Sequence, residues 1–175
     1  MTEYFDVIDK NDKVIGKASR DECHAKGLLH RAVHIVIINS KGQLLLQKRS
    51  IKKDLYPGWW IDAAAGHVDS GETPIEAANR EIMEEIGVSV NLEELFRFRK
   101  KWKGSGKIDN EIITVYAGRS DGTFKINTEE VQFVKFFSYK KIREMLKKEK
   151  FTPGTVGLFR ELKKRPELLK RFRLS

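Results

Sequence analysis

Glu81, Glu84 and Glu85 lie within five positions of one another, in a stretch that reads as one helix. Residues three and four apart share a helix face, so the three carboxylates project together. Carboxylates held side by side repel, and a solvated acidic surface does not explain the arrangement. A divalent cation does, because hard ions such as Mg²⁺ or Mn²⁺ take several oxygen ligands. Arg80 precedes them, and its planar guanidinium can hold two carboxylate oxygens at once. Such a cation can polarise a bound oxygen and lower the pKa of a water.

The surrounding sequence mounts these residues rigidly. Thr73-Pro74-Ile75-Glu76 predicts a helix start, with a threonine cap, proline at the first helical position and glutamate three after the cap. Ile75, Ala78, Ile82 and Ile86 form a stripe expected to face the core, and the glutamates occupy another sector, presented outward. Gly87 ends the helix. Before it, Tyr4–Asp9 and Val14–Ala18 read as a hairpin, Asp21–Lys26 as a helical turn ended by Gly27, and His30–Asn39 and Gln43–Arg49 as strands. Trp59–Ala65 leads into the motif. After it, Leu95–Trp102, Ile112–Ala117 and Val131–Phe137 read as strands, with a turn at Gly104-Ser105-Gly106. Ile142–Lys148, Thr155–Lys164 and a piece after Pro166 read as helices. Strands and helices mix without a regular βαβ repeat, which predicts an α/β sandwich on a mixed sheet.

The chain has 175 residues, enough for one domain with a self-sufficient core, and we expect a 28–140 core followed by a basic helical segment, 141–175. The net charge is +9, and Ser138–Ser175 carries it all, with 13 Lys/Arg against 4 Asp/Glu. Such a segment attracts polyanions, although two solvated helices explain it equally simply, and nucleic acid is not an expected partner. One cysteine, Cys23, excludes an internal disulfide. No apolar run approaches the roughly 18 residues that span a bilayer, and no leader pattern opens the chain. These features predict a cytoplasmic protein with no membrane partner.

The segment Gly66–Val88 resembles the signature of the Nudix hydrolases. Gly66, Glu72, Arg80, Glu81, Ile82, Glu84, Glu85, Gly87 and Val88 all stand at its spacing. The resemblance implies an α/β/α sandwich, dependence on Mg²⁺ or Mn²⁺, and hydrolysis of a nucleoside diphosphate linked to another moiety. Glu81, Glu84, Glu85 and the Gly66 carbonyl would hold metal, and Glu72 and Arg80 would orient the ligands. A proton acceptor would come from a later loop, where Glu111 is the first candidate and Glu129 and Glu130 compete. Lys48 and Arg49 could contact phosphates, as could Lys52 and Lys53. Of the adjacent Trp59 and Trp60, alternation allows only one to face a site, and Trp59 is a candidate platform for substrate. Many relatives are dimers, so a homodimer is the expected assembly.

His30-Arg31-Ala32, Gln43–Arg49 and Pro57-Gly58-Trp59-Trp60 resemble, more narrowly, the branch containing isopentenyl-diphosphate isomerases. That branch binds metal through three histidines and two acids, and His24, His30, His67, Asp109 and Glu111 stand near the matching places. The His24–His30 spacing is one residue short, and His34 has no counterpart. Ala65 stands where the isomerases carry a catalytic cysteine, and Phe98 where they carry a proton-relay tyrosine. Alanine moves no proton, so the expected activity is hydrolysis on an isomerase-like scaffold. The alternatives are an isomerase, or a regulator that binds nucleotide or RNA.

Overall fold

Strand β3, His30–Ile38, organises the molecule. It consists almost wholly of buried residues, as a strand covered on both faces requires. The computed structural model describes residues 2–53, 55–104 and 106–174. Ahead of β3, β1 (Tyr4–Ile8) and β2 (Val14–Ser19) form an antiparallel hairpin. Helix α1 (Arg20–Lys26) follows, and Gly27 ends it in the left-handed conformation. The central sheet runs β5-β4-β3-β8-β7, with β6 also on β3 and β9 also on β4. Its members are β4 (Leu44–Arg49), β5 (Trp60–Ile61), β6 (Ala64–His67), β7 (Glu93–Gly104), β8 (Lys107–Arg119) and β9 (Val131–Phe137). The β3–β8 pair is parallel and the rest are antiparallel, so the sheet is mixed. Within the turn expected before β8, Ser105 lies outside the described residues.

Helices cover both faces. α2 (Pro74–Ile86) packs Ala77, Ala78, Ile82 and Ile86 against Val33, Ile35 and Ile37. α3 (Tyr139–Met145), α4 (Pro153–Lys163) and α5 (Pro166–Arg171) lie over the other face, where Ala32, Val36 and Ile38 meet Leu158, Phe159 and Leu162. The even and odd positions of β3 thus serve two cores, as period-two alternation dictates. Thr73 caps α2 in a reciprocal box with Glu76, and Gly87 ends it at φ 64°. α3 starts three residues earlier than the sequence predicts, because Ser138 accepts the Lys141 N–H and caps it.

One sequence expectation needs correction. Ile75 shares the stripe by angle, yet it lies in the first turn and is 37% exposed; periodicity does not say where along its length a helix overhangs the sheet. The stretch Trp59–Ala65 that leads into the motif is divided between two strands. β5 pairs with β4 and β6 with β3, and Asp62-Ala63 carries the chain between them. Asp62 is wholly buried at that crossing.

The basic segment is amphipathic. Its charges are solvated while Ile142, Met145, Phe151, Leu158, Leu162 and Phe172 enter the core. No helix among the described residues is long and apolar enough to cross a membrane. Leu158→Ala empties a fully buried site on α4 and should cost about 2–5 kcal/mol. Denaturant unfolding checks this, and a loss below about 1 kcal/mol would show that the helix contributes little to the core.

Candidate active site

Gly66 and α2 meet so closely that a Cβ at Gly66 would overlap the Glu81 carboxylate. Glycine is needed here for that approach, and it leaves the β6 backbone beside the carboxylates. Arg80 organises the acids. Its Nε and one terminal nitrogen each donate to Glu72 at 3.0 Å, the other terminal nitrogen donates to Glu81 at 2.6 Å, and a further bond reaches the His67 carbonyl at 3.1 Å. Glu84 is the outer member, 3.5 Å from Arg80 and solvent-exposed. The expectation that all three glutamates point outward does not hold. Glu81 is tucked against Gly66, and Glu85 is 6% exposed, with Gln47 of β4 donating to it. Burial, then the neighbouring Glu81 charge, pushes the Glu85 carboxyl up to about 8. Burial also raises Glu81, against the pull of Arg80.

A second group of ligand atoms lies on the α4 side of the sheet. His24, His30, His67 and Glu111 bring theirs within 4.8 Å of one another. His24 Nδ1 donates to the Arg20 carbonyl at 2.7 Å and His30 Nδ1 to the Leu28 carbonyl at 2.8 Å. Both rings therefore present Nε2 inward, the usual posture of a metal-binding imidazole. His30 Nε2 is buried without a partner, and burial pushes the ring down to about 4. Glu111 Oε1 faces His67 Nε2 at 3.3 Å and Asp109 Oδ1 faces His24 Nε2 at 3.4 Å. Their outer oxygens go to Lys100, at 2.9 Å from Glu111 and 3.1 Å from Asp109. This ammonium and the histidines hold Glu111 well below the usual carboxylate range against the cost of its burial. Phe5 of β1 closes the cluster, its ring 4.6 Å from His67 and 5.2 Å from His30.

Both groups open on one cavity of about 420 Å³. Of the residues picked out by sequence, Gly66, Glu81, Glu84, Glu85, Arg80, His24, His67, Asp109, Glu111, Arg49, Lys53 and Glu130 line it. His30 and Glu72 stand behind these. Lys48 does not reach the cavity: Leu45, Gln47 and Arg49 share a face of β4, so Lys48 takes the other, 4.6 Å over the Trp60 ring. Trp59 packs on Tyr56 outside the lining, and Trp60 is core. Glu129 and Glu130 pair with Lys52 and Lys53. Glu111, the expected proton acceptor, has both oxygens engaged by the cluster and Lys100. Sequence reading missed Lys100, Arg20, Phe5 and Gln47. The first is signalled only by the register that sets Lys100 opposite Glu111.

The described donors fit two kinds of ion. The oxygen set at Gly66 and α2 suits Mg²⁺ or Mn²⁺, and the imidazole-rich set suits a borderline transition metal.

The model of the NUDIX domain matches residues 28–161, reaching into the basic segment. The chain is 36% identical over 149 residues to isopentenyl-diphosphate Delta-isomerase of Pectobacterium atrosepticum, covering 83% of each protein. It is also 36% identical to an uncharacterised Nudix hydrolase of Listeria innocua, over 86% of this chain and 89% of that one. The crystal structure of DR0079 from Deinococcus radiodurans superposes with a TM-score of 0.75 at 25% identity, over 91% of this chain and 98% of that one.

The shifted carboxylates make stability depend on pH. Folded Glu85 keeps its proton up to about 8, against 4.5 ordinarily, so the metal-free fold loses stability as pH rises through that window. His30 acts oppositely. It stays neutral down to about 4 rather than 6.5, and its contribution is complete above 6.5. Between pH 6.5 and 8 the carboxylate should dominate. Thermal melting of metal-free protein should fall across this range, Glu85→Gln should flatten the fall, and saturating Mn²⁺ should do the same. A metal-free melting temperature that rises from pH 6.5 to 8 contradicts the assignment.

Proposed function

The chain belongs to the Nudix family, and on that basis we propose that it is a metal-dependent hydrolase cleaving the phosphoanhydride bond of a nucleoside diphosphate linked to another moiety. The observation that carries this reading is the convergence of Gly66, Glu81, Glu84 and Glu85 on a cavity that also presents Arg49, Lys53 and Arg20. Acid and basic groups thus face one space, as an anionic substrate bound through a cation requires. Gly66, Glu81, Glu84 and Glu85 would hold Mg²⁺ or Mn²⁺, which would supply charge neutralisation and an acidified water. The protein's own residues do the rest. Arg80 fixes Glu72 and Glu81 so that no reorganisation is needed when substrate arrives. Gln47 holds Glu85 in place. Arg49 and Lys53 offer positive charge to the phosphates. We place the reaction in the cytoplasm, with no membrane or nucleic-acid partner, in a protein that forms homodimers.

Isopentenyl-diphosphate isomerisation is the second reading, favoured by the histidine cluster and by the relative of that name. Proton transfer at carbon needs an acid and a base beside the substrate. Ala65 lines the cavity where the thiol would stand, Phe98 packs against Gly157 of α4, and Cys23 is wholly buried beside Phe5 and Ala18. Burial also raises the Cys23 thiol, which removes its nucleophilic form. The local chemistry therefore supports hydrolysis.

A panel of diphosphate compounds, incubated with Mg²⁺ or Mn²⁺ and read by product identity, tests the proposal. Release of a phosphorylated product should stop with chelator and fall about 100-fold or more in Glu85→Gln, the loss of several kcal/mol of charge stabilisation. Conversion of isopentenyl diphosphate to its dimethylallyl isomer at an enzymatic rate, without hydrolysis of any compound, would replace this function with the second.

A further inference from the structure

One cavity-lining imidazole belongs to neither group of ligands. His34 is 6% exposed and its Nδ1 lies 2.8 Å from Oδ1 of the wholly buried Asp62. The Thr155 hydroxyl donates to the same oxygen at 2.7 Å, and the Thr152 hydroxyl lies 2.9 Å from that of Thr155. A carboxylate oxygen that already accepts from threonine accepts from the ring as well, so Nδ1 carries a proton, and in the neutral ring Nε2 is the acceptor. Nε2 receives no hydrogen bond from the described residues. The ring stands against Gly154, at the start of α4, where an added Cβ would lie 2.6 Å from Nε2. His34 and Gly154 both line the cavity, and between His34 and the metal-ligand candidates the lining is small and apolar, Ala32 and Ala65. Cross-strand pairing fixes this order, with Ala32 opposite His67 and His34 opposite Ala65.

We propose that His34 recognises the nucleoside carried by the diphosphate, accepting an N–H or O–H from its base or its sugar. The proposal rests on the hydrolase reading for the nucleoside diphosphate and adds the residue that selects it. A hydrocarbon chain over Ala32 and Ala65 would cover Nε2 without pairing it. Sites built around such a hydrogen bond reject analogues lacking it by large factors, whereas an apolar pocket discriminates weakly. The Thr152–Thr155–Asp62 chain makes His34 a fixed acceptor rather than a mobile ring.

Binding, read by calorimetry with Ca²⁺ to suppress turnover, separates this from the hydrolase reading. The probes are the four common nucleoside diphosphates and isopentenyl diphosphate. At least one nucleoside diphosphate should bind tenfold or more tighter than isopentenyl diphosphate. His34→Leu should weaken that probe at least tenfold and leave isopentenyl diphosphate within twofold, while His34→Gln, which keeps an acceptor, should retain most of the affinity. Gly154→Ala should reproduce the leucine effect by displacing the ring at Nε2, and melting curves verify that each variant folds. A strong dependence on the base assigns the donor to the nucleobase, and equal affinities assign it to the ribose. Unchanged binding in both His34→Leu and Gly154→Ala, equal wild-type affinity for isopentenyl diphosphate, or no binding of any probe overturns the proposal. The predicted pattern without cleavage in Mg²⁺ or Mn²⁺ keeps it and removes the hydrolase reading; cleavage with His34→Leu unaffected does the reverse.

Discussion

Arg80 makes the rest of the site possible. Placing Glu72, Glu81, Glu84 and Glu85 on and beside one helix concentrates negative charge where the protein must also be packed. One guanidinium touching Glu72 through two nitrogens and Glu81 through a third turns most of that repulsion into directed hydrogen bonds. The same cation reaches the His67 carbonyl, tying α2 to β6 next to Gly66. A lysine could supply the charge but not the geometry. Glu85 is the acid Arg80 does not reach, and it is the one whose carboxyl burial lifts to about 8. The structure thus neutralises what it can internally and leaves one buried acid that favours an external cation.

The opposite side of the sheet solves the same problem with different parts. Asp109 and Glu111 turn one oxygen each to Lys100 and the other to the imidazoles. Lys100 thereby fixes which oxygen of each acid is available to the cluster. Sheet parity separates the two arrangements: His67 follows Gly66 in β6, so its side chain leaves by the face opposite to the one on which Glu81 approaches Gly66. Consecutive residues of one short strand therefore serve two different donor sets in one cavity.

This division also explains what could be read from the sequence. The box helix was legible because its signals are local: a cap, a proline, a period and a terminal glycine within one segment. The mixed α/β class followed from the same kind of reading, and the Nudix relatives agree with it. What stayed hidden depends on pairing between distant segments. Lys100 meets Glu111 only through the β7–β8 register, Phe5 reaches the histidines only by the docking of the hairpin, and Gln47 meets Glu85 across 38 positions. Lys48 and Arg49 were indistinguishable as cations until the parity of β4 was known. The break at Asp62-Ala63 left no mark either, because a chain crossing between two strand edges has the same apolar composition as a strand.

That break has a functional consequence. An unbroken strand from Trp59 to Ala65 would alternate faces and would send Asp62 to one side as an ordinary edge residue. Crossing from β4 to β3 instead buries Asp62 beneath the start of α4, where Thr155 and His34 converge on one of its oxygens. A buried carboxylate is tolerated only with such donors. His34, Asp62 and Thr155 come from three places far apart in the chain, so folding itself assembles the group. The basic C-terminal segment is therefore more than a solvated appendage. Its first residues on α4 complete the wall of the cavity, and Gly154 leaves the room in which His34 stands. Any substrate that spans from the α2 carboxylates to His34 touches both the signature segment and the start of α4, which the family match also covers.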